Sequence, residues 1–142
     1  MNKRDERINK VRENHNRKYN CAQAVACAYA PMFGTGEEDA FKGMEAFGGG
    51  MAMQSVCGAV SGMAYIAGLA NSDGDLAHPA SKQSTYKLLR PMLDDFTAEI
   101  KSLICSEIKG RETGVVLASC PHCMETAAEI IEKHIVEGKD EQ

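Results

Sequence analysis

Six cysteines carry most of the chemistry available to this chain. Cys120 and Cys123 stand two residues apart in Ser119-Cys120-Pro121-His122-Cys123, while Cys21, Cys27, Cys57 and Cys105 occur singly upstream. A C-x-x-C pair serves thiol–disulfide exchange, supplies half of a four-ligand zinc or iron–sulfur site, or simply packs as two small apolar side chains. Both the redox and the metal reading need thiolates, so the surroundings that lower a thiol pKa are the informative ones. A c-type haem site would need histidine directly after the second cysteine, where Met124 stands.

The elements that must position these sulfurs read as helices, and no segment alternates with the period of two that marks a strand. A charged N-terminal element over residues 1–18, with Ile8 and Val11 as its sparse apolar residues, is expected as an exposed helix. Asn20 is placed to cap a second helix, CAQAVACAYA, which Pro31 and Gly34 end. A third runs from about Glu37 to Phe47 and stops at Gly48, Gly49 and Gly50. The stretch VCGAVSGMAYIAGLA is apolar nearly all round and reads as a central buried helix, in which the spacing of Gly58 and Gly62 lets another backbone approach. After a loop over residues 71–80, an apolar stripe from Leu89 to Ile104 predicts a long helical segment that Pro91 should kink or break. A loop at Gly110 to Gly114 precedes a last helix capped by Ser119, with Glu129 and Lys133 paired on its outside, and residues 137–142 are expected to fray. The fold class is all-α, a compact bundle of about five to six helices forming one domain over residues 1–142.

On this map Cys21, Cys57 and Cys120 fall in first turns of helices, where unpaired N–H groups and the helix dipole favour negative charge. Arg17 and Lys18 precede Cys21, and Lys101 and Lys109 flank Cys105 at four residues, adding positive charge that should lower these thiol pKa values. Cys27, on an Ala-rich helix, reads as core, as do Met44, Met51, Met53 and Met63. His15, His78 and His134 read as solvated. A net charge of -4 without clustered Lys and Arg argues against nucleic-acid or anionic-membrane partners. No run is long enough to cross a bilayer, and the charged N-terminus is no secretory signal, so a cytoplasmic chain is expected. There six cysteines serve as thiols, metal ligands or catalytic pairs rather than permanent staples. No Walker A loop, G-x-S-x-G elbow or H-E-x-x-H helix is present.

NCAQAV around Cys21, AFGGGM at Ala46 to Met51, VCGAVSG around Cys57, the single Cys105 before EIKGRE and Cys120 before the last helix occur in an order that resembles the C-GCAxxG-C-C family of small helical redox-active proteins. The resemblance covers most of the chain from Asn20 to Ile131, and it implies that Cys21, Cys57, Cys105 and Cys120 are the working thiols. Cys123 and His122 lie beyond those four positions. Cys-Pro-His-Cys is also similar to the active-site turn of thioredoxin-fold disulfide oxidases, but that chemistry is mounted on a βαβ framework that the sequence does not offer.

Three readings stay open. Converging thiols, Cys123 included, could hold an iron–sulfur cluster, with Gly49, Gly50 and Gly58 offering backbone N–H groups to it or to an anionic ligand. A structural zinc is less favoured, because the two close cysteine pairs of a zinc ribbon are absent. Alternatively the thiols pair as reversible disulfides, for example Cys21 with Cys57 and Cys105 with Cys120, exchanging electrons with a redox partner. The third reading is a non-catalytic helical scaffold with packed cysteines, and the apolar central helix leaves room for a homodimer.

Overall fold

The computed structural model describes residues 2–140. Its helices are α1 (Lys3–Asn16), α2 (Cys21–Tyr29), α3 (Glu37–Met44), α4 (Gly58–Asn71), α5 (Lys82–Ile100), the single turn α6 (Cys105–Ile108) and α7 (Cys120–Ile131), which continues as a wider turn, Glu132–Val136, and a last turn, Glu137–Asp140. Among the described residues there is no strand, only an isolated antiparallel bridge between Val56 and Ile104. The fold is all-α.

Helix α2 lies at the centre and packs on α1, α3, α4 and α7. Its start is fixed by a capping box in which Asn20 accepts from the Gln23 N–H and Gln23 accepts from the Asn20 N–H. Small residues let α4 approach closely. A methyl group at Gly58 would overlap Cys21 Sγ, and one at Gly62 would lie 2.8 Å from the Ala22 carbonyl oxygen. The small-xxx-small spacing therefore brings the starts of α2 and α4, with their two cysteines, into contact.

Helix α1 exposes most of its residues, yet it is not a free-standing helix. Ile8, Val11 and Asn14 are buried where it meets α2 and α7, because three positions at helical spacing suffice for a narrow packed face. It is tied to the far end of the chain by Arg7, whose Nε and Nη2 donate to Glu132 at 2.8 and 2.7 Å, while the buried Tyr29 hydroxyl donates to the same carboxylate at 2.7 Å. Arg12 also pairs with Glu125.

Four expectations are corrected. Pro91 does not break α5, which runs through it to Ile100; Pro91 is solvent-exposed, where the carbonyl that loses its partner can be hydrated. The apolar stripe overruns the helix, since Lys101 adopts a left-handed C-cap and Leu103 and Ile104 belong to the connection to α6. Lys133 pairs with Asp95 of α5 at 3.2 Å rather than with Glu129. Met44 and Met63 are core residues, but Met51 and Met53 are 54% and 76% exposed. As for the expected frayed tail, residues 137–140 continue as a helical turn and 141–142 lie outside the described residues. No helix among the described residues is long and apolar enough to cross a membrane.

Candidate functional site

Four helices begin at or beside a cysteine, and those beginnings converge. Cys21 opens α2, Cys57 caps α4, Cys105 opens α6 and Cys120 opens α7, with Cys123 one turn further along α7. The start of α7 is set by Ser119, whose Oγ accepts from the His122 N–H at 3.2 Å. The Val56–Ile104 bridge ties two of the other starts together: Cys57 N donates to Leu103 O at 2.8 Å, and Cys105 N donates to Ser55 O at 2.7 Å. Cys21, Cys57, Cys105, Cys120 and Cys123 all line one cavity of about 210 Å³, with Lys109, His15 and Tyr19 among the other walls. Cys27 lies apart from them, buried, its Sγ donating to the Glu37 carbonyl at 3.6 Å.

Within the cavity the sulfurs are not equivalent. The Cys123 side chain beside Cys57 is the main reason the Cys57 pKa falls to about 7; the Ala59 and Val60 N–H groups of the first α4 turn and the Lys109 ammonium act in the same direction against burial. The neighbouring Cys57, with burial, pushes the Cys123 pKa strongly upward. The two thiols titrate as a pair, with Cys57 the one that ionises first.

A helix start does not lower every thiol. Burial raises the Cys21 pKa despite hydrogen bonds from the Gly49 and Ala22 N–H groups. It raises that of Cys105 despite Lys109. Arg17 instead lies over the Tyr19 ring, 5.3 Å from its centroid, and Lys101 Nζ turns back to the Ala98 carbonyl at 2.7 Å. Sequence proximity counted these cations as neighbours of Cys21 and Cys105, but their side chains find other partners.

The expected glycine positions divide. Gly49 and Gly58 line the cavity, whereas Gly50 is buried below it. Gly49, Gly50, Met51, Ala52 and Gln54 all have positive φ near 60°, and a Cβ on Gly50 would lie 2.5 Å from Ser55 N and 3.0 Å from Cys105 Cβ. Three non-glycine residues held in this region store local strain. The turn carries the Gly49 N–H to the Cys21 sulfur and Ser55 to the start of α6.

Two contributions escaped sequence reasoning. Lys109, four residues from Cys105 at the C-cap of α6, also acts on Cys57, a reach that its sequence offset does not reveal. His15 was read as solvated; it is exposed, and it also lines the cavity wall from the last turn of α1. His134 is half-buried, 2.7 Å from Asp95, and His122 lies 3.1 Å from Glu99 on the surface.

By donor type five thiols suit an iron–sulfur cluster or zinc. Among the described residues no three His, Cys, Asp or Glu side chains are grouped to hold a metal ion. All six cysteines are free thiols, and five of them line the same cavity.

The model of a protein family described as "Putative redox-active protein (C_GCAxxG_C_C)" matches residues 19–134. The chain belongs to that family. No curated protein and no solved structure matched the chain in the same comparison.

Proposed function

We propose that the chain is a thiol–disulfide redox protein whose working couple is Cys57 and Cys123. The supporting observation is that Cys57, at the start of α4, and Cys123, in the first turns of α7, line one cavity and that Cys123 lowers the Cys57 pKa to about 7. A small disulfide that enters the cavity is attacked by the Cys57 thiolate. One sulfur of the substrate becomes bonded to Cys57 and the other leaves as a thiolate. Cys123 then yields its proton to the departing thiolate and attacks the Cys57 sulfur, forming the Cys57–Cys123 disulfide and releasing the second substrate sulfur as a thiolate. The couple loses two electrons and the substrate disulfide gains them; run backwards, the same steps oxidise a dithiol. Cys21 and Cys105, with raised pKa values, stay protonated beside the couple. This pairing replaces Cys21 with Cys57 and Cys105 with Cys120 as the leading assignment.

The test is anaerobic metal and sulfide analysis followed by oxidation with oxidised dithiothreitol and peptide mapping. Colourless protein that forms a reversible Cys57–Cys123 disulfide is the expected result. Brown protein with labile sulfide would move the function to a bound iron–sulfur cluster. Colourless protein with inert thiols would leave the scaffold reading.

A further inference from the structure

The proposed couple is well hidden, with Cys57 7% and Cys123 2% exposed. A disulfide carried on a folded protein cannot bring its sulfur into line with either atom, because exchange needs access to the attacked sulfur along the bond being broken. Cys120 differs from both. It is solvent-exposed, it lines the same cavity, and it stands three residues before Cys123 in the first turn of α7. Side chains three apart on a helix have their Cβ atoms about 5–6 Å apart, so the roughly 3.5–4.5 Å of a disulfide is reached by a small adjustment of a terminal turn. The first turn of α7, held by its Ser119 cap and with Pro121 removing one N–H, is where such an adjustment is least costly.

Building on the Cys57–Cys123 reading, we infer that Cys120 is the solvent-facing thiol through which that couple exchanges electrons with disulfides of protein partners, by way of a transient Cys120–Cys123 disulfide. The Cys120 thiolate attacks the partner's disulfide, bonding to one of its sulfurs and releasing the other as a thiolate. Cys123, its proton passing to that thiolate, attacks the Cys120 sulfur and expels the partner's second thiolate. The Cys57 thiolate then attacks Cys123, the Cys120–Cys123 bond breaks, and Cys120 leaves as a thiolate. The net result is one partner disulfide reduced and the Cys57–Cys123 disulfide formed, with two electrons transferred. The sequence run in reverse oxidises a partner dithiol.

The experiment compares two oxidants on the reduced full-length chain: oxidised dithiothreitol, small enough for the cavity, and oxidised thioredoxin as a folded protein disulfide. In Cys120→Ser, oxidation by dithiothreitol should proceed within about twofold of the parent rate, while oxidation by thioredoxin should slow at least tenfold. In Cys123→Ser, the mixed disulfide trapped with thioredoxin should map to Cys120. Equal rates for Cys120→Ser with both oxidants, or a trapped adduct on Cys57, would overturn the relay while leaving the couple intact. Failure of the parent chain to form the Cys57–Cys123 disulfide with either oxidant would overturn the couple itself. Circular dichroism of each variant confirms that it is folded.

Discussion

Cys57 is where local chemistry and long-range packing meet. Its pKa of about 7 has four favourable causes, the Cys123 side chain, the Ala59 and Val60 N–H groups and Lys109, and the two side-chain causes can be removed separately. Cys123→Ala deletes the largest. The pH at which Cys57 is half-alkylated by iodoacetamide should then rise by at least one unit, while Lys109→Met should raise it by a smaller amount. The sign follows from the thiolate being the nucleophile: a lowered pKa means reactivity that climbs through pH 7, and each loss moves that climb to higher pH. Gly58→Ala tests the contact between helix starts. The added methyl collides with Cys21 Sγ, so the variant should lose on the order of 1–3 kcal/mol in urea unfolding. Much at this scale was legible in the sequence, because helix caps and glycine spacings are local signals. Asn20, Ser119 and the Gly58–Gly62 pair are all where the chain said they would be. The paired titration of Cys57 and Cys123 was not legible, since it joins residues from distant parts of the chain. Nor was the raised pKa of Cys21, which is decided by burial after the favourable position has been read.

At the scale of elements, two features have measurable consequences. Glu132 is 1% exposed and relies on Arg7 and Tyr29, so Arg7→Ala leaves a buried carboxylate without its cation. Removal of one partner of a buried pair should cost about 3 kcal/mol or more in chemical denaturation. The exposed Pro91 acts in the opposite sense: Pro91→Ala restores a hydrogen bond inside α5 and should raise stability by roughly 1–3 kcal/mol, measured the same way. The order and type of the helices followed from apolar periodicity, with α2, α4 and α7 closest to their expected limits. What periodicity could not reveal was where helices stop without a glycine or proline. Lys101 ends α5 in a left-handed conformation, and an apolar stripe that continues past it merely packs in a connection. Likewise α1, with few apolar residues, gave no sign that Ile8, Val11 and Asn14 find a buried face.

For the molecule as a whole, the fold's consequence is that four helix beginnings point into one small cavity and leave one cysteine, Cys120, at its solvent side. The chain belongs to a family described as redox-active, and the proposed Cys57–Cys123 couple would give that description a mechanism. The most direct measurement is a pH titration of site-resolved alkylation across all six thiols of the reduced chain, read by mass spectrometry. The expected result is that Cys57 reacts with a midpoint near pH 7 and that this midpoint moves upward in Cys123→Ala. A Cys57 midpoint in the ordinary thiol range, unchanged when Cys123 is removed, would contradict a working couple at these two positions.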